Sequence, residues 1–227
     1  MRFVSHNDTL SHNGTQRGYM SNLGGLDGNF SFFEEDSELE SRETIDNKIY
    51  AQKDRRIEML NILKKEKLQE VMKGLPEKNI SYHLVSNGTY DFFTHIPLMV
   101  EYMGGKIDEY YGSTWTMNRA NAKTILEMYD NETVKKIRVI TGLYFKRRES
   151  AVYALLLSGL LERGQKFKCF KNHSKISLLG DYQNNNFIVI EGSANYTANP
   201  RVEQFVINND KKLYEFHKNW MDNYIND

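Results

Sequence analysis

From Asn79 to the C terminus, short apolar runs alternate with longer stretches whose apolar residues recur every three or four positions, and few folds accommodate that alternation. Residues 80–85, 107–117, 137–141, 167–170, 174–179 and 187–190 read as strands. Between them, one helical stretch shows Phe92, Ile96, Met99 and Met103 on a single face, with Pro97 requiring a start near Thr94. A second follows a capping Asn118 and carries Ala122, Ile125 and Tyr129. A third spans 147–163, turns Val152, Leu155, Leu156 and Leu160 inward and stops at Gly164. Leu213, Phe216, Trp220 and Tyr224 mark a closing amphipathic helix. The expected fold class is therefore α/β: a sandwich with helices on both faces of a mixed sheet, occupying residues 79–227.

Ahead of that domain, residues 41–78 read as a charged, amphipathic helical extension. Ile57, Leu60, Leu68, Val71 and Leu75 form its stripe, and Gly74 and Pro76 end it. It either lies on its own domain or pairs with a second copy. Residues 1–40 are rich in Ser, Asn, Gly and acidic side chains without a sustained period, the pattern of a flexible arm. His6 and His12 lie there without Cys or carboxylate neighbours at metal-ligand spacing.

No apolar run reaches the ~20 residues of a membrane-spanning helix, and the N terminus lacks a basic flank followed by an apolar stretch. With a single cysteine, Cys169, the expectation is a soluble, cytoplasmic protein without stable membrane association. Net charge is zero but uneven. Residues 34–46 are acidic, whereas 135–175 carry Lys135, Lys136, Arg138, Lys146, Arg147, Arg148, Arg163, Lys166, Lys168, Lys171 and Lys175 against Glu149 and Glu162. A basic stretch of this kind suits a polyanion, although solvated surface charge is the commoner meaning of such a pattern.

That stretch ends at the residues with the most chemistry. His173 and Lys175 stand two apart, so on a strand both point to one side. A polar turn at 181–186 then lays the run 187–190 alongside as a hairpin, bringing Gly192, Ser193 and Asn195 toward His173. An imidazole can attack phosphorus, while Lys175, Ser193, Asn195 and backbone N–H groups near Gly192 hold phosphate oxygens. Nothing in this set requires a metal or a cofactor. Cys169 reads as a core strand residue, and His83, His95 and His217 as structural or solvent-facing.

His173-x-Lys175 with Gly192-Ser193-x-Asn195 resembles the HKD motif of the phospholipase D superfamily, H-x-K-x4-D-x6-G-[S/T]-x-N. The run Asn199-Pro200-Arg201-Val202-Glu203-Gln204 resembles the segment that supplies a glutamate behind the histidine in single-motif members. The resemblance implies a phospholipase D-like α/β sandwich. It also implies that His173 is the nucleophile, that Lys175 binds phosphate, and that Glu203 hydrogen-bonds the imidazole and fixes its tautomer, with Arg201 a further phosphate contact. The chain departs from the motif at two points. Gly180 stands where the motif has Asp, with Asp181 one place late, and five extra residues precede Gly192.

Phosphohistidine chemistry needs a second group to protonate the leaving oxygen. The chain carries one motif and no internal repeat, so the resemblance implies a homodimer in which two copies of His173 meet. The expected function is a metal-independent phosphodiesterase acting on nucleic acid. A catalytically weak member that binds nucleic acid or serves in an assembly is the alternative, supported by the displaced Asp and the acidic arm. A lipid phosphodiesterase ranks third, because no membrane-facing helix rich in Trp and Lys is evident.

Overall fold

A computed structural model describes residues 63–88, 90–197 and 201–227 of the chain. The expected arm at 1–40, the extension as far as residue 62, and Asn199 and Pro200 lie outside the described residues. Seven strands form one sheet: β1 (Ser81–Ser86), β2 (Ile107–Thr114), β3 (Val134–Gly142), β4 (Lys166–Phe170), β5 (Ile176–Asp181), β6 (Asn186–Gly192) and β7 (Glu203–Asn209). Their order is β1-β7-β6-β5-β2-β3-β4. The β2–β3 and β3–β4 pairs are parallel and the other neighbours antiparallel, so the sheet is mixed, as expected. Helices α1 (63–71), α2 (His95–Tyr102), α3 (Arg119–Asp130), α4 (Leu143–Arg148), α5 (Ser150–Glu162) and α6 (Lys211–Asn226) accompany it.

Successive strand residues point to opposite faces, and the two buried clusters sort accordingly. Tyr110, Val139, Leu179 and Ile188 pack with residues of α1, α2, α3 and α5. Their chain neighbours Tyr111, Ile140, Leu178 and Val189 pack with Tyr214 and Met221 of α6. Local signals place several elements correctly. Asn118 caps α3 by accepting from Asn121 N at 2.8 Å, and Gly164, at φ +66°, ends the turn after α5. Pro97 sits in the first turn of α2, where a missing N–H costs little.

Four expectations are corrected. β7 was not anticipated, yet it lies between β1 and β6, with Phe205 and Ile207 buried. The single helix expected over 147–163 is two, α4 and α5, divided at Glu149, whose ψ of 50° is not helical. α6 buries Tyr214, His217 and Met221, while Phe216 and Tyr224 are exposed. The inward stripe is the more polar one because its polar atoms find partners. Tyr214 Oη donates to Glu109 at 2.9 Å, and Trp220 Nε1 donates to His217 Nδ1 at 3.0 Å. His217 is therefore buried rather than solvent-facing. Finally, Leu68 of α1 and Met72 just after it join the larger cluster, while Val71 is exposed. Among the described residues, no helix is long and apolar enough to cross a membrane.

His95, at the start of α2, is fully buried against Tyr90, Phe92 and Phe205, and its Nε2 has no hydrogen-bond partner among the described residues. Burial lowers its pKa to about 4, against the opposing pull of the Phe92 carbonyl and Asp91. The unfolded chain therefore binds a proton at this histidine between pH ~6.5 and ~4 where the native state does not, so stability falls as pH falls through that window. We expect His95 to account for about 3 kcal/mol of that loss. Denaturant midpoints at pH 7 and pH 4.5 check this: His95→Phe should show a smaller drop than the unsubstituted protein.

Candidate active site

The sheet gathers the candidate residues along one end. The carboxyl ends of β2, β3, β4 and β6 lie there beside the amino ends of β5 and β7, as the pairs Ser113 with Ile176, Gly142 with Phe170, and Gly192 with Phe205 show. His173 and Lys175 fall in the segment between β4 and β5, and the strand expected at 174–179 begins only at Ile176. Their side chains nonetheless meet. Lys175 Nζ lies 3.0 Å from His173 Nδ1, 3.4 Å from Nε2, and 2.7 Å from the His173 carbonyl oxygen, to which it donates. His173 is exposed, whereas Lys175 is 8% exposed.

The segment carrying His173 is held from both sides. Asn172 Nδ2 donates to Ser113 Oγ at 3.1 Å and to the Thr114 carbonyl at 3.2 Å. Its Oδ1 accepts from Ser174 N at 3.1 Å and Ser174 Oγ at 2.7 Å. Gly192 N donates to the Lys175 carbonyl at 3.2 Å, which fastens the other side to β6. A Cβ on Gly192 would lie 2.7 Å from the Gln204 carbonyl oxygen, so only glycine allows β6 and β7 this approach.

Ser193 Oγ donates to the Glu203 carboxylate and accepts from Gln204 N at 3.1 Å. Glu203 in turn is close enough to Lys175 to favour its charged form. His173, Lys175, Glu203 and Ser193 thus form one electrostatically connected group. Asn195 is half-buried, and its Oδ1 has no hydrogen-bond partner among the described residues. Arg201 is exposed in the segment entering β7.

Burial, and then the neighbouring Lys175 charge, lowers the pKa of His173 below the ordinary histidine value. Burial likewise lowers Lys175, with Glu203 opposing. The arrangement keeps the imidazole neutral near pH 7 with a cation against it, which suits attack on an anionic phosphate. Among the described residues, no group of three or more His, Cys, Asp or Glu side chains is placed to hold a metal ion.

The two departures from the motif fall away from this group. Gly180 pairs with Glu109 of β2 and faces Tyr214, near the end of β5 away from Lys175, which precedes the strand. Asp181 is buried and ties the β5–β6 turn, accepting from Asn184 N at 3.1 Å and Asn184 Nδ2 at 2.7 Å. The space beside Gly180 already holds a carboxylate, that of Glu109, which accepts from Tyr214, Tyr182, Lys218 and Lys136. The basic stretch is divided as well. Lys135, Lys136, Arg138 and Arg163 pair with Asp108, Glu109, Asp222 and Asp130, whereas Lys146, Arg147 and Arg148 are exposed on α4.

Three residues at the site were not singled out from the sequence: Asn172, Trp115 and Tyr144. Trp115 stacks on Tyr144 with ring centroids 4.0 Å apart and planes at 21°, and its ring lies 5.4 Å from that of His173. Asn172 had a readable signal, since an Asn beside a histidine at a strand entry is a capping residue in waiting. The aromatic pair had none, because its members come from different strand ends.

No protein-family model and no curated protein matches the chain. Solved structures do resemble it. Nuc from Salmonella typhimurium, a phospholipase D family member, is 16% identical with a TM-score of 0.47, covering 65% of this chain and 95% of its own. NucT from Helicobacter pylori is 12% identical with a TM-score of 0.44, covering 65% and 97%. Phosphatidylserine synthase from Haemophilus influenzae is 9% identical with a TM-score of 0.45, covering 64% and 38%.

Proposed function

We propose that the chain is a metal-independent phosphodiesterase of nucleic acid that works through a phosphohistidine, with two copies of His173 sharing one site in a homodimer. The observation that carries this reading is the buried Lys175 ammonium held 3.0 Å from His173 Nδ1. A phosphodiester entering the site offers Lys175 a charge-assisted hydrogen bond stronger than the one it makes to a neutral ring nitrogen. The ammonium transfers to a phosphate oxygen, and the freed imidazole lone pair faces phosphorus. The N–P bond forms as the P–O bond to the leaving group breaks. Lys175, Ser193, Asn195 and Arg201 stabilise the charge on the non-bridging oxygens.

The leaving oxygen requires a proton, and the attacking imidazole, whose lone-pair nitrogen becomes bonded to phosphorus, is too weak an acid through its remaining N–H to supply it. The second copy's imidazole, protonated, donates it. Now neutral, the same ring takes a proton from water as water attacks the phosphohistidine and the N–P bond breaks. Glu203, which shares the Ser193 hydroxyl, supplies negative charge that favours the ammonium form of Lys175.

The decisive test is to mix unsubstituted protein with His173→Ala, allow the copies to exchange, and follow cleavage of an oligonucleotide in excess EDTA. A shared site loses activity with the square of the active fraction, leaving about one quarter at equal mixing, whereas independent sites leave about one half. In parallel, a labelled substrate should leave a covalent adduct that is acid-labile and base-stable. Salt-sensitive binding of nucleic acid with neither adduct nor turnover would select the binding or assembly reading instead.

A further inference from the structure

Beside His173 lies an aromatic pair that neither core uses. Trp115 follows the end of β2 and Tyr144 opens α4, and both are half-buried. Neither ring belongs to either buried cluster of the fold. The pair is nevertheless built with care. Gly142, the residue before α4, has no side chain to spare: a Cβ there would come within 2.6 Å of Trp115 Cδ1 and 2.8 Å of the Asn172 carbonyl oxygen. The Gly142 amide donates to the Trp115 carbonyl at 3.3 Å, and the Cys169 thiol donates to the Gly142 carbonyl at 3.3 Å. Trp115, Gly142, Asn172 and His173 are thus assembled as one unit at the sheet end.

The remainder of α4 supplies charge. Lys146, Arg147 and Arg148 are exposed, and Arg148 is close enough to Tyr144 to act on its hydroxyl electrostatically. Flat rings beside exposed guanidinium groups, next to a phosphate-attacking imidazole, are the elements of a single-stranded nucleic-acid site. Rings take a base face, and cations take the phosphates on either side.

From this juxtaposition we infer that Trp115 and Tyr144 form a base-stacking subsite that holds a nucleobase flanking the attacked phosphate, which makes the substrate single-stranded or unpaired nucleic acid. This rests on the reading of His173 as the group that meets the phosphate. In a duplex, bases are stacked on one another and the ring pair cannot engage them. In a single strand, or at a frayed end, the base can turn onto the rings. Arg147 and Arg148 then track the backbone without regard to sequence.

The test measures binding by the full-length protein, at one fixed salt concentration, of a thymidine oligonucleotide and of a strand with the same length and charge made of abasic residues. The base-bearing strand should bind about 5- to 100-fold more tightly. Trp115→Ala and Tyr144→Ala should each bring the base-bearing strand toward the abasic one and leave abasic binding unchanged. Trp115→Phe should retain most of the difference. Arg147→Ala should weaken both strands equally. Tyr144→Ala carries the test if Trp115→Ala does not fold. Equal binding of the two strands by unsubstituted protein overturns the subsite, as does an equal loss for both strands in the ring variants. Failure to bind either strand overturns it too. Cleavage in EDTA is scored separately: turnover without a base preference removes the subsite and keeps the phosphodiesterase, and a base preference without turnover does the reverse.

Discussion

If the proposed mechanism holds, replacing His173 with Ala should lower phosphodiester cleavage by about 10⁴-fold or more, because it removes the atom to which phosphorus would bond rather than a group that assists. The loss should be the same in excess EDTA as in its absence. Lys175→Met should cost less, about 10²- to 10³-fold, since Ser193 and the backbone N–H groups near Gly192 remain to hold the phosphate oxygens. Lys175→Met also carries a signature on the pH axis. In the proposed mechanism His173 attacks only when neutral, so the acidic limb of kcat/KM follows its deprotonation and should lie below the ordinary histidine value of ~6.5. Burial and then the charge of Lys175 hold it there, so removing that charge leaves only burial, and the acidic limb should move to higher pH. The alkaline limb belongs to the second imidazole losing the proton it donates, and the two limbs report the coupled pair. A Lys175→Met profile with the acidic limb unmoved would separate the lysine from the imidazole and undo the electrostatic part of the mechanism.

What the sequence made legible follows from how far each interaction reaches. Asn118, Gly164 and the β5–β6 hairpin depend on neighbours within a few residues, and all were readable. His173 and Lys175 were expected to share a side, and they meet even though the strand begins only at Ile176. β7 was not readable, because a run opening with Glu203 and Gln204 and closing with two asparagines shows its core positions, Phe205 and Ile207, only once β1 and β6 flank it. The phase of α6 was misjudged for a related reason. Hydropathy favours Phe216 and Tyr224, but tertiary partners bring Tyr214 and His217 inward. The Trp115–Tyr144 stack is created by the parallel pairing of β2 with β3, which sets Thr114 beside Thr141 and so brings the residues that follow each strand together.

The same reasoning decides what the missing motif aspartate means, and Gly180→Asp tests it. Restoring the motif should destabilise this protein by about 3 kcal/mol or more. A Cβ at 180 would lie 2.5 Å from Tyr214 Oη and 3.2 Å from Glu109 Cγ, so the new carboxylate has neither room nor a favourable neighbour. Burial pushes the Glu109 carboxyl up, but hydrogen bonds from Lys218, Tyr182 and Tyr214 bring it below its ordinary value, and it stays charged. A second carboxylate therefore meets an established anion in a buried site whose donors are already engaged. The urea midpoint should fall with the slope unchanged. Cleavage by the fraction that remains folded should be unaffected, since position 180 lies near the end of β5 away from Lys175. Glu109→Ala alone should also destabilise, by leaving Lys218 and the tyrosine hydroxyls without their acceptor. Combining it with Gly180→Asp should recover part of the loss, with a coupling of about 1–3 kcal/mol, because one carboxylate then replaces the other. A strictly additive double variant would show that Glu109 does not fill the place of the motif's acid. A gain in cleavage on Gly180→Asp would show that the aspartate serves the site after all.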